Sequence, residues 1–230
     1  MRPLRLSALL GLGIATLAGV TACTAPPADP APPSASSTST PVPTAAPAAE
    51  VATSIVISPE SITVVGDADA VLATFDYHQP TGEVVSGLSE YLGEPTDSRV
   101  EPGSETPPAT LHEWGGLQLL DTDQVEEAPY WPNHVVYVTG AEAGGLPVTT
   151  STGISVGNAL DSIDMAGATA PVDYTVQETG RMQRMFRVDL VALPPGEGTG
   201  ASPDIGVLVT GYLDDAVVDY IESPSSNYGH

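Results

Sequence analysis

Residues whose types and spacing suit chemistry are few in this chain. Gly153-Ile154-Ser155-Val156-Gly157 has the G-x-S-x-G spacing of a nucleophile elbow, and a strand-like run, Val148 to Thr152, leads into it. That motif asks for a histidine after the serine, and only the terminal His230 follows. His78, His112 and His134 all precede it and would need another chain order. A serine ahead of a helix also serves as an N-cap, with no chemistry implied. No catalytic residue is therefore assigned, and a serine hydrolase using Ser155 is kept as the alternative reading.

Carboxylates cluster in turn-like runs: Asp67 with Asp69, Asp121 and Asp123 with Glu126 and Glu127, and Asp214-Asp215. Calcium needs several converging oxygens, and none of these runs has EF-hand spacing. The histidines form no i, i+4 pair of the kind that holds zinc. No metal site and no cofactor are assigned; weak calcium binding is a second alternative. Arg181, Arg184 and Arg187 fall on one strand-like segment, where alternation puts Arg181 and Arg187 on one face and Arg184 on the other. They are candidates for recognising a carboxylate or phosphate, or for pairing with nearby acids. Trp114 and Trp131, with Tyr130 and Tyr137, are candidates for a glycan- or protein-binding surface, or for the core.

Charge narrows the partners. The chain has 29 acidic residues against six arginines and no lysine. Loss of Arg2 and Arg5 with a leader would leave a charge of −25. Such a body repels nucleic acid and anionic head groups, so cations or basic proteins suit it better.

These residues must be positioned by a body spanning 51–222. Ser54–Ser58 and Ser61–Val65 are β-branched runs around a Pro59-Glu60 turn, and Val71, Ala73, Phe75 and Tyr77 alternate in a third strand. Thr81 is the expected cap of a helix over about 82–92, with Val84, Val85, Leu88 and Leu92 as its stripe and Gly93 as its stop. Residues 99–110 read as a polar loop, Leu111–Leu120 and Val135–Val138 as strands. A second helix is expected over about 156–166, capped by Ser155 and ended by Gly167. Tyr174–Gln177 and Arg181–Val191 read as strands. Val207–Tyr212 and Ala216–Ile221 read as a closing hairpin, and residues 223–230 as a loose tail. The expected class is α+β: a mainly antiparallel sheet with two short helices. Those helices open two candidate helix-plus-strands units, Thr81–Leu120 and Gly153–Ile221.

The N-terminal region is of a different kind. Arg2 and Arg5 precede an apolar run over 6–20, too short for the roughly 20 residues of a bilayer span and suited to a signal-peptide core. It ends in Val20-Thr21-Ala22-Cys23, whose cysteine is the chain's only one. Residues 24–50 are mostly Pro, Ala, Ser and Thr, with eight prolines, and favour an extended tether of at most roughly 80 Å.

Val20-Thr21-Ala22-Cys23 resembles a bacterial lipobox. That resemblance implies removal of residues 1–22, with cleavage between Ala22 and Cys23, and diacylglyceryl attachment at Cys23. The two chains of such a group suffice for stable anchoring. With its Trp-Gly-Gly-Leu strand and Gly-Ile-Ser-Val-Gly turn, the whole sequence resembles uncharacterised actinobacterial lipoproteins, which bring no known activity. The Gly153–Gly157 opening, with Leu160 and Gly167, is similar to the helix openings of β-lactamase-inhibitor-like and small outer-membrane-lipoprotein repeat domains. That likeness implies helices packed on an antiparallel sheet and a protein-binding role. The first helix lacks the Gly-x-Ser/Thr opening, and the inhibitors' disulfides are absent. The expectation is an extracytoplasmic, lipid-anchored, non-enzymatic binding or envelope-assembly module. Its partners would be the membrane, through the lipid, and an envelope protein or ligand.

Overall fold

Alternating apolar residues build most of this structure, a computed structural model that describes residues 51–100, 108–121, 132–194 and 203–227. All of these belong to one compact unit, Pro47–His230. The leader, Ala22, Cys23, the tether, Asp123, Glu126, Glu127, Tyr130, Trp131 and His230 lie outside the described residues.

The first three strands are β1 (Ala52–Ile57), β2 (Ser61–Gly66) and β3 (Val71–Asp76), an antiparallel meander. Its inward face carries Ile55, Ile57, Ile62 and Val64, all fully buried. Helix α1 (Thr81–Leu92) follows and buries Val84 and Leu88, two residues of the expected stripe. Pro80, not Thr81, holds its N-cap position, and the Thr81 hydroxyl instead donates to the Asn133 carbonyl at 3.3 Å. Gly93 ends the helix at φ +81°, a conformation that costs glycine nothing.

The next strands are β4 (Thr96–Val100), β5 (Ala109–Asp121), β6 (His134–Ala143) and β7 (Leu146–Thr150). The last four are β8 (Val172–Thr175), β9 (Met182–Ala192), β10 (Asp204–Tyr212) and β11 (Tyr220–Asn227). The main path runs β3-β2-β1-β7-β6-β11-β10-β9-β8, with β5 on the other edge of β6 and β4 beyond it. One pair, β1 with β7, is parallel, so the sheet is mixed.

Strand β6 joins the two parts of this sheet. Its first half lies between β5 and β11, and its end turns through Gly144-Gly145 to pair with β7. Both turn glycines have positive φ, +56° and +84°, as a two-residue type I′ hairpin requires. Beside the turn, register jumps from Gly115↔Ala143 to Leu117↔Val138. A Cβ on Gly116 would lie 2.5 Å from the Glu142 carbonyl oxygen and 2.7 Å from the Gly140 Cα. The Gly115-Gly116 pair therefore lets β5 press against the bend of β6. Ile55, Ile62, Val84, Leu117, Val136, Val209 and Ile221, from both parts of the sheet and the helix, join in one buried cluster.

The α+β expectation is wrong: this is a mostly β body with one α-helix and a large mixed sheet. The helix expected over 156–166 is an irregular segment with a single 3-10 turn, Leu160–Ser162. Gly153 and Gly157 adopt φ +81° and +90°, and the Asn158 side chain accepts from the Ser155 amide at 2.8 Å. Such side-chain bonds to nearby backbone compete with a helix. The segment instead bonds to 216–218, with Gly157 and Leu160 amides donating to the Val218 and Ala216 carbonyls. Val156, Leu160 and Ile163 still pack on the core, as anchors of a loop rather than a helical stripe. The second of the two expected helix-plus-strands units, Gly153–Ile221, falls with that helix, as does the helix opening behind the inhibitor-like resemblance, whereas Thr81–Leu120 is α1 followed by the antiparallel pair β4 and β5. Strand β11 begins at Tyr220 and stays paired with β10 through Asn227, so residues 223–227 are strand, not tail.

Candidate functional site

A cleft of about 190 Å³ opens where both parts of the sheet end together. Pro59 comes from the β1–β2 turn, Asp76, Tyr77 and His78 from the end of β3, and Pro132 from the approach to β6. Leu193 and Ile205 border it from β9 and β10, and Pro224 and Ser226 from β11. Three proline rings, Leu193, Ile205 and Tyr77 make its walls mostly apolar. Among the described residues it is lined by the carboxylates of Glu60 and Asp76 and the imidazole of His78, and by no arginine.

Main-chain and side-chain bonds hold these walls in place. The Tyr77 hydroxyl and the Ser223 hydroxyl both donate to the Ser58 carbonyl, at 3.1 and 2.7 Å. These bonds tie β11 to the first hairpin. The Asn133 amide donates to the Tyr77 carbonyl at 2.9 Å, and its side-chain NH₂ to the His78 carbonyl at 2.7 Å. One Asp76 oxygen accepts from the His78 amide at 2.7 Å, fixing the turn. Burial pushes the Tyr77 phenol well above its ordinary range, so it stays a neutral donor.

His134 lies behind Tyr77, with ring centroids 5.6 Å apart. It sits on the same inward face of β6 as Val136 and Val138 and is fully buried. Neither ring nitrogen has a hydrogen-bond partner among the described residues. Burial pushes its pKa down to about 4, partly offset by Asp76 and reinforced by His78. The imidazole is neutral at physiological pH and leaves no cation beneath the cleft.

The residues singled out from sequence are not brought to this cleft. Arg181 makes a bidentate pair with Asp214 (2.9 and 2.6 Å), reaches Asp215 at 2.5 Å and stacks its guanidinium 3.8 Å over the Tyr212 ring. Arg184 grips Asp173 through two bonds, 2.7 and 2.9 Å, and Arg187 pairs with Asp204. Arg181 holds the Asp214 carboxyl below its usual range, and Arg184 does the same to Asp173. The three arginines are thus spent between neighbouring strands and turns, not gathered into an anion site. Arg187 stands opposite Leu208 and Arg184 opposite Gly211, while Arg181 precedes β9.

Trp114 is a core residue, buried among the inward side chains of β5, and its indole N–H donates to the Gly93 carbonyl at 2.8 Å. It clamps the C-terminal end of α1. Trp131 lies outside the described residues. Tyr137 stacks on Tyr220, with centroids 5.6 Å apart and ring planes at 27°. Burial raises the pKa of the adjacent Glu222. Ser155 donates its hydroxyl proton to the Val148 carbonyl at 2.6 Å, across the loop it helps close. Nearby, Asp189 sits at φ +55° with its carboxylate accepting from Ser151 at 2.6 Å, beside a shallow hollow of about 280 Å³ bordered by Asp164. His112 pairs with Asp97 at 2.7 Å across β4 and β5. Among the described residues no three His, Cys, Asp or Glu side chains converge as metal ligands, and no helix is long and apolar enough to cross a membrane.

No family model, curated protein or solved structure matches the chain. The cleft residues were missed in sequence because each is ordinary alone. The available signal was the dense run Asp76-Tyr77-His78-Gln79-Pro80 directly after an alternating strand.

Proposed function

We propose that this protein is an exported lipoprotein, held at the extracytoplasmic face of a membrane by acylated Cys23, whose acidic body binds a ligand or envelope protein rather than transforming it. The observation that carries the binding half is the use of the hydroxyl groups. Ser155, Tyr77 and Ser223 each donate to a main-chain carbonyl, at 2.6, 3.1 and 2.7 Å. A hydroxyl whose proton is given to a fixed backbone acceptor is not aligned with a general base. These groups act as braces: Tyr77 and Ser223 steady the walls of the cleft, which is the preformed receptor in this reading, and Ser155 closes its own loop.

The anchoring half is supported by the single cysteine placed directly behind a short apolar run and ahead of a proline-rich spacer. A charge this negative keeps the body off nucleic acid and anionic head groups. Cell fractionation tests the address. The wild-type chain is expected in the membrane pellet and Cys23→Ser in the medium or the soluble fraction. Retention of Cys23→Ser in the membrane would overturn it.

A further inference from the structure

We propose that the cleft between Pro59, Tyr77 and Pro224 is a recognition site for an organic ammonium ion: a protonated amine on a short apolar stem, either free or as a lysine side chain. This rests on the binding-module reading and names its ligand class.

The wall chemistry carries the inference. Proline has no backbone N–H, so Pro59, Pro132 and Pro224 give the cleft apolar surface without the donors that anions need. Leu193 and Ile205 extend that surface. Among the described residues the carboxylates of Glu60 and Asp76 are its only acidic groups, beside the imidazole of His78, and both acids are exposed to solvent. Only one Asp76 oxygen is used by the His78 amide bond. Arg181, Arg184 and Arg187 are each tied to carboxylates elsewhere. The field in the cleft is therefore negative, within a body that is negative throughout. Low-dielectric walls focus such a field on an entering cation. The uncharged imidazole of His134 behind Tyr77 adds no opposing charge. An ammonium fits the carboxylates while its stem lies against the prolines. A bare metal ion would leave the apolar walls unused, and a carboxylate or phosphate would be repelled.

The test uses the ¹⁵N-labelled full chain in a neutral detergent, followed by NMR at neutral pH. The probes are n-butylammonium for a free amine and a capped Gly-Lys-Gly peptide for a lysine side chain, with n-butanol and butyrate as controls. Saturable shifts at Glu60, Tyr77 and His78 with either ammonium probe, and not with the controls, are expected; the tighter probe identifies the source. Glu60→Gln is expected to weaken that binding about two- to fivefold, whereas the distant surface change Glu142→Gln leaves it unchanged. Equal shifts with n-butanol, non-saturating shifts spread over the acidic surface, or an unaffected Glu60→Gln variant would overturn the proposal. Such a failure leaves the lipid address standing, since fractionation reads that separately.

Discussion

A core-facing histidine, His134, with no hydrogen-bond partner among the described residues sets the sharpest residue-scale expectation. In the unfolded chain His134 titrates near its ordinary 6.5, whereas burial pushes it down to about 4 in the folded protein. Between those values the unfolded state takes up a proton that the folded state refuses. Stability present above 6.5 is therefore lost as pH falls towards 4, and this group costs nothing more below that. The loss is about 3 kcal/mol. Glu222 works in the opposite direction near its own range, because burial raises its pKa and the folded state then accepts its proton more readily. The difference between wild type and His134→Leu isolates the histidine. Urea unfolding across this pH range is expected to show the acid-side loss in wild type and its absence in the variant. Parallel pH profiles would contradict the assignment. The leucine also replaces two unpartnered ring nitrogens with hydrocarbon, so stability at neutral pH is expected to hold or rise.

At the scale of elements, the first hairpin, the third strand and α1 were legible because period-2 and period-3.6 patterns there coincide with burial. The 156–166 segment carried an equally good helical stripe, but Gly153, Gly157 and Asn158 impose turns that the stripe does not reveal. Strand β4 was obscured for another reason, since every residue of it is exposed and it carries no apolar alternation to read, and the equally exposed β8 was placed two residues late, at Tyr174–Gln177. The cleft was illegible because it is assembled from six separate segments, brought together by long-range strand pairing and by the Tyr77, Ser223 and Asn133 bonds. The bend in β6 can be tested directly. Gly116→Ala puts a Cβ against three backbone atoms and is expected to destabilise by about 1–3 kcal/mol in chemical unfolding. Gly82→Ala, on the exposed first turn of α1 with nothing within 4 Å of the new Cβ, is expected to stabilise by about 0.4–1 kcal/mol. Equal effects from the two substitutions would show that the contact between β5 and β6 is not the constraint described.

For the whole molecule, the division of labour follows from composition. Apolar alternation makes a body with its own core, and Arg181, Arg184 and Arg187 pair with carboxylates at strand junctions. Residues 24–50 carry eight prolines and few large apolar side chains. In the proposed reading they are a spacer whose far end is held by Cys23. The mass of the first peptide of the membrane-extracted protein tests this most directly. The account predicts a chain beginning at Cys23 whose sulfur carries a diacylglyceryl group. A peptide that retains residues 1–22, or begins with an unmodified Cys23 thiol, would contradict it.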